Sequence, residues 1–111
     1  MRTALGLILV LLANPALAEW RAMTGAEITA ALTGQRLQYD SAWQVFHTSG
    51  RTLYNAGTDS WGNWRIDGDA YCSQWPPSDG WACYTVARDT DTGDLQFNGA
   101  SGDVTVGRPA P

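Results

Sequence analysis

The chain has 111 residues, with eleven acids against seven arginines, no lysine, one histidine and a net charge of −4. A phosphate backbone or an anionic membrane surface asks for a basic stripe, whereas the six arginines beyond Arg2 stand singly from Arg21 to Arg108, so neither nucleic acid nor membrane is an expected partner. The length suits one domain with a modest core and leaves no room for two.

The amino-terminal segment has the grammar of an export signal. Arg2 supplies a positive start, Leu5 to Leu12 is apolar apart from Gly6, Asn14 and Pro15 break the run, and Ala16-Leu17-Ala18 places small residues where a signal peptidase reads. Residues 1–18 are therefore expected to be a signal peptide cut after Ala18, leaving a mature domain of 93 residues (111 − 18), 19–111, in the periplasm or secreted. The apolar run is too short for about 30 Å of hydrocarbon and no second one follows, so no membrane insertion is expected after cleavage.

The mature chain opens with a predicted helix at about 24–33. Thr24-Gly25-Ala26-Glu27 fits a capping box, Met23 and Ile28 stand where a hydrophobic staple belongs, Ile28, Ala31 and Leu32 make a narrow apolar face, and Gly34 suits a left-handed end. From Arg36 onward, short aromatic and β-branched runs predict strands at 36–39, 42–48, 52–55, 62–66, 70–74, 81–88, 95–98 and 104–106. Ser49-Gly50, Asp67-Gly68, Thr92-Gly93 and Asn98-Gly99 are the expected turns, and 107–111 reads as a frayed end. Such short connections cannot make parallel crossovers. The expected fold is mainly β: a small antiparallel β-barrel or sandwich of about seven or eight short strands, with one N-terminal helix and one disulfide. Alternation puts Leu37 with Tyr39, Trp43 with Val45, Trp64 with Ile66 and Leu95 with Phe97 on shared faces, and Trp43 and Trp64 are read as core.

Cys72 and Cys83 are the only cysteines. In an exported chain they are expected to pair, closing a loop of about a dozen residues for roughly 3 kcal/mol. A metal site would need further ligands, and His47 is distant.

Gly62-Asn63-Trp64-Arg65-Ile66-Asp67-Gly68-Asp69, then Tyr71-Cys72-Ser73-Gln74-Trp75, then Cys83-Tyr84, resemble the shared core of small exported bacterial proteins of uncharacterised function. In architecture the chain is similar to the lipocalin-like eight-stranded barrels of secreted bacterial metalloprotease inhibitors. The resemblance spans roughly residues 50–97 and implies a barrel. Those inhibitors insert a flexible N-terminal trunk into a protease cleft, and here a capped helix stands in its place.

Six tryptophans are the unusual feature. Trp61, Trp75 and Trp81 border the predicted loops 55–60 and 76–80 beside Asp59, Ser60, Ser78 and Asp79, where flat rings next to acids and hydroxyls can hold sugars, prolines or cations. Trp61, Trp75, Trp81, Asp59 and Asp79 are accordingly the candidate ligand-binding residues. Asp89, Asp91 and Asp94 superficially match a calcium loop, but the glycine comes one place early and the closing glutamate is missing, which leaves an acidic hairpin turn and no expected metal or cofactor. His47 could be grouped with Ser41 or Ser49 and Asp40 only by nearness in sequence, and no Gly-x-Ser-x-Gly elbow exists, so no catalytic residue is assigned. The expected function is a non-catalytic exported module binding a protein or small ligand in the envelope. The alternatives are a protease or hydrolase inhibitor of the barrel type, a small hydrolase centred on His47, and a structural envelope protein.

Overall fold

A computed structural model describes residues 19–111; the expected signal peptide, 1–18, lies outside the described residues. The elements in chain order are β1 (Trp20–Ala22), α1 (Gly25–Leu32), β2 (Arg36–Gln38), β3 (Trp43–Phe46), β4 (Arg51–Asn55), β5 (Asp59–Asp67), β6 (Ala70–Gln74), β7 (Trp81–Asp89), β8 (Leu95–Gly99) and β9 (Val104–Pro109). Strands β2 to β9 run antiparallel, each beside the next, and β9 returns to β2, so eight strands close a barrel. β1 is the ninth. The partner strand β6 covers β7 only from Trp81 to Thr85, and β1 pairs with the stretch it leaves, Ala87 to Asp89.

The helix forms where its capping signals stand. Glu27 N–H donates to Thr24 Oγ1 at 3.2 Å and Thr24 N–H donates to Glu27 Oε1 at 2.9 Å, satisfying two amides that the first turn leaves free. Ile28 and Leu32, both 0% exposed, drive the docking by closing one end of the barrel against Leu37, Phe46, Trp64, Val86 and Leu95. Each such side chain contributes about 1.5–3 kcal/mol. Gly34 is left-handed (φ 74°) as expected, but its N–H donates to Phe46 C=O at 2.7 Å instead of to a helix carbonyl, so the helix end is tied into the β2–β3 hairpin. At the other end of the helix Gly25 sits directly on the β5–β6 turn. Its N–H donates to Asp69 Oδ1 at 2.7 Å, and a Cβ there would collide with Gly68 C=O.

The disulfide Cys72–Cys83 joins directly opposed residues of β6 and β7 on the barrel's outer face. Three sequence expectations are corrected, and one strand is added. Trp43 is on the outer wall, because the inward positions of β3 are Gln44 and Phe46, at 5% and 0% exposure; alternation fixes which residues share a face, not which face is inside. Residues 107–109 are not frayed: they pair Arg108 with Gln38 and Pro109 with Leu37, closing the barrel. Gly99 belongs to β8, and Gly102, at φ 90°, makes that turn. β1 was not anticipated, its three residues being too few for a pattern.

Gly25→Ala should therefore lower stability by about 1–3 kcal/mol, the range for overpacking, measured by urea unfolding, whereas exposed Ala26→Ser should change little. The Cys72→Ala/Cys83→Ala double variant should keep the barrel and lose about 2–4 kcal/mol, with the wild type matching it once reduced.

Candidate functional site

Away from the helix, the inward-facing residues change character. Tyr39, Gln44, Tyr54, Ser60, Tyr71, Ser73, Trp75, Tyr84, Phe97 and Thr105 line an open cavity of about 380 Å³ in the barrel mouth. All four tyrosines of the chain are in that lining. Tyr71, 4% exposed, is the floor. Its ring meets Phe46 and Phe97 edge-on at 5.8 and 5.3 Å, and lies 6.4 Å from Trp64 and 6.1 Å from Tyr84.

A buried relay of hydrogen bonds orders the floor. Tyr39 OH donates to Gln44 Oε1 at 2.7 Å; Gln44 Nε2 donates to Thr52 Oγ1 at 2.9 Å and to Tyr71 OH at 3.2 Å; Thr52 Oγ1 donates to Val45 C=O at 2.8 Å. The Tyr71 oxygen accepts in this relay, and the Ser73 hydroxyl is its second hydrogen-bonding neighbour, so both polar groups stand at the cavity wall. Burial pushes the Tyr71 phenol up to about 12. It also drives the Tyr39 phenol well above the ordinary range. Both remain protonated across physiological pH.

Trp75 forms one wall. Its indole N–H donates to Ser73 Oγ at 3.1 Å, its ring stands edge-on to Tyr54 at 6.0 Å, and its flat side lies so close to Gly62 that a Cβ there would come within 2.5 Å of Cε3. The lining contains no carboxylate, guanidinium or imidazole. Such a site can stack against a ring and exchange hydrogen bonds through hydroxyl and amide groups.

The five candidate residues from the sequence do not converge. Trp75 is in the mouth. Trp61 and Trp81 are on the outer wall, Trp61 within β5 and Trp81 at the start of β7 as expected: Trp61, 44% exposed, stacks on His47 at 5.7 Å with the Arg51 guanidinium 4.6 Å from its centre, and Trp81 carries Arg65 at 3.9 Å. Asp59 accepts from Asn55 Nδ2 at 2.8 Å at the β4–β5 turn, and Asp79 is involved through its backbone carbonyl, which accepts from Gln74 Nε2 at 2.9 Å. His47 is likewise outside, with Ser49 Oγ accepting from Arg51 N–H at 3.3 Å, while Asp40 and Ser41 belong to the turn after β2. In the acidic turn Asp89 Oδ1 accepts from the Asp91 and Thr92 amides at 2.8 and 3.3 Å.

Sequence reasoning missed the tyrosines and Gln44. The available signal was their parity: Tyr39 shares a face with Leu37, Gln44 with Phe46, Tyr71 with Ser73, and Tyr84 with Val86. No known protein family, curated protein or solved structure matches the chain.

Because the folded phenols hold their protons more tightly than unfolded ones, stability should be intact below pH 10, the ordinary value, and fall as pH rises towards about 12. The share of Tyr71 is up to about 2–3 kcal/mol. Phenolate absorbance followed with near-ultraviolet circular dichroism should show Tyr39 and Tyr71 ionising only as the barrel opens. Tyr71→Phe should make the alkaline loss shallower.

Proposed function

We propose that the protein is an exported, non-catalytic binding module that receives a small neutral ligand, or the ring of a larger one, in the tyrosine-lined mouth of its barrel. The convergence of all four tyrosines, with Trp75 and Phe97, on one cavity carries this reading. A core that needed only bulk would take leucine or phenylalanine there. Phenols bring hydroxyls that must be satisfied, and these, with Ser60, Ser73 and Thr105 in the same lining, favour a ligand that carries a polar atom beside its ring. The volume of about 380 Å³ lies in the small range of ligand pockets and exceeds the roughly 150 Å³ that holds a benzene ring.

The uncharged lining favours a neutral ligand, since an ion would lose its hydration with no opposite charge to replace it. Export, to the periplasm or beyond, is supported by the signal-like segment 1–18 and by the Cys72–Cys83 disulfide, a bond that persists in oxidising compartments.

The test is titration with p-cresol, a neutral ring bearing one hydroxyl, read by amide NMR shifts and tryptophan fluorescence. Shifts should centre on Tyr54, Tyr71 and Trp75. Gly62→Ala, which displaces the Trp75 ring, should weaken binding by about tenfold or more, equivalent to about 1.4 kcal/mol. Trp61→Ala and Trp81→Ala should leave it within about twofold, since neither residue touches the cavity. Binding lost in the outer-wall variants and kept in Gly62→Ala would move the site to that wall.

A further inference from the structure

β9 is longer than the strand that closes the barrel against it. β2 pairs with Arg108 and Pro109, then the chain turns away through Tyr39 and Ala42, where Tyr39 N–H donates to Ala42 C=O at 2.8 Å. From Val104 to Gly107, β9 has β8 on one side and, among the described residues, no strand on the other. Its backbone directions follow from the ladder. Ala110 N–H donates to Arg36 C=O at 2.9 Å, and bonded positions alternate in an antiparallel pair, so Arg108, Val106 and Val104 aim their N–H and C=O towards the β2 side. Arg108 finds Gln38 there; Val106 and Val104 face the vacated edge.

Their side chains point outward, 42% and 55% exposed, while Thr105 between them points into the mouth cavity. A hollow of about 450 Å³ adjoins this edge, bordered by Asp40, Ser41 and Ala42 across from the valines. It shares Tyr39, Tyr54 and Thr105 with the tyrosine cavity, so the two spaces adjoin.

We propose that this edge receives an extended peptide as an added strand antiparallel to β9, with the side chain opposite Thr105 entering the tyrosine cavity and a basic group beside Asp40. The inference rests on the cavity being the binding site and names what fills it. Val104 and Val106 present donor and acceptor pairs two residues apart, about 6.8 Å along a strand, which is the repeat of another extended chain. The parity is matched: peptide residues bonded to the valines place their side chains outside, and the one between them faces the uncharged cavity. Asp40 is the one carboxylate on the hollow's border.

The probe is acetyl-Arg-Val-Tyr-Val-Thr-amide, titrated by calorimetry alongside p-cresol. Methylating the backbone nitrogen of the second valine should weaken binding by about tenfold, because that amide would face Val104, whereas methylating the tyrosine nitrogen, which would face away from β9, should change it by less than about threefold. Val106→Pro removes one edge N–H without touching the ladder to β8 and should also weaken the peptide about tenfold while p-cresol affinity and melting temperature hold. Equal effects of the two methylations, or full binding by Val106→Pro, would overturn strand addition. If p-cresol binds and the peptide does not, the inference fails and the cavity reading stands; if neither binds, both fail. A dimer that Val106→Pro dissolves, without peptide binding, would assign the edge to a second copy of the chain and overturn the proposal.

Discussion

The barrel turns on the position of one phenol. Tyr71 lies where the apolar end meets the polar mouth, its ring against Phe46, Trp64 and Phe97 and its oxygen taking a hydrogen bond from Gln44. Burying a polar group without a partner costs about 1–3 kcal/mol, so Gln44 must also be inside, and its amide in turn needs Thr52 and Tyr39. Residues of β3, β4 and β6 and the end of β2 are thereby held in one mutual register. A slip of one residue in any of these strands would carry its polar group to the outer wall and leave the others unsatisfied. The same relay that makes the fold specific also sets the cavity's floor and keeps it uncharged.

The two ends of the barrel are unlike because the helix is at only one of them. Ile28 and Leu32 fill that end, and the Gly25 contact with the β5–β6 turn fixes the distance at which α1 docks. Among the described residues no apolar element covers the inward side chains at the opposite end, and there hydroxyls and amides replace leucine and valine. Strand lengths sharpen the contrast. β5 and β7 have nine residues, while β2 has three and β6 five. The shortness of β6 is made good by β1, which covers the rest of β7. No described strand makes good the shortness of β2, and the stretch of β9 that it leaves opens beside the mouth. A free edge facing a cavity differs from an edge that merely ends a sheet, since a strand added there gains side-chain burial along with backbone hydrogen bonds.

Local signals in the sequence carried the fold well. The capping box at Thr24 and Glu27, the antiparallel meander and the Cys72–Cys83 pairing are all consequences of short-range chemistry, and each is found in the structure. The site was less legible, for a reason visible in β3. Its pattern Trp43-Gln44-Val45-Phe46 invites the larger, more apolar pair inward, yet Gln44 is inside because Tyr39, Thr52 and Tyr71 are there to bond it. Those partners lie 5, 8 and 27 residues away, and no inspection of β3 alone reveals them. Of the three loop-edge tryptophans only Trp75 is in the mouth: β5 begins at Asp59, ahead of its expected start, and carries Trp61 on the outer wall, while Trp81 opens β7 where a strand is expected but faces outward. The tyrosines passed unnoticed because each looked like ordinary strand filling.

The tryptophans themselves have a coherent physical role once the walls are distinguished. A barrel this narrow cannot enclose six indoles, and only Trp64 is buried in its core, with Trp75 set in the mouth. Trp43, Trp61 and Trp81 are outside, and each has a guanidinium over its face, from Arg36, Arg51 and Arg65 at 4.3, 4.6 and 3.9 Å. A flat guanidinium can cover an indole and still keep its in-plane N–H groups in water, which an ammonium on a flexible stem does less well. The absence of lysine from a chain with seven arginines fits this use, for three of those arginines shield rings that would otherwise be open to solvent. Arginine and tryptophan together thus finish the outer wall. The tyrosines, which carry their own polar groups, are left to form the mouth, where a ring must be apolar enough to stack and polar enough to stand against water.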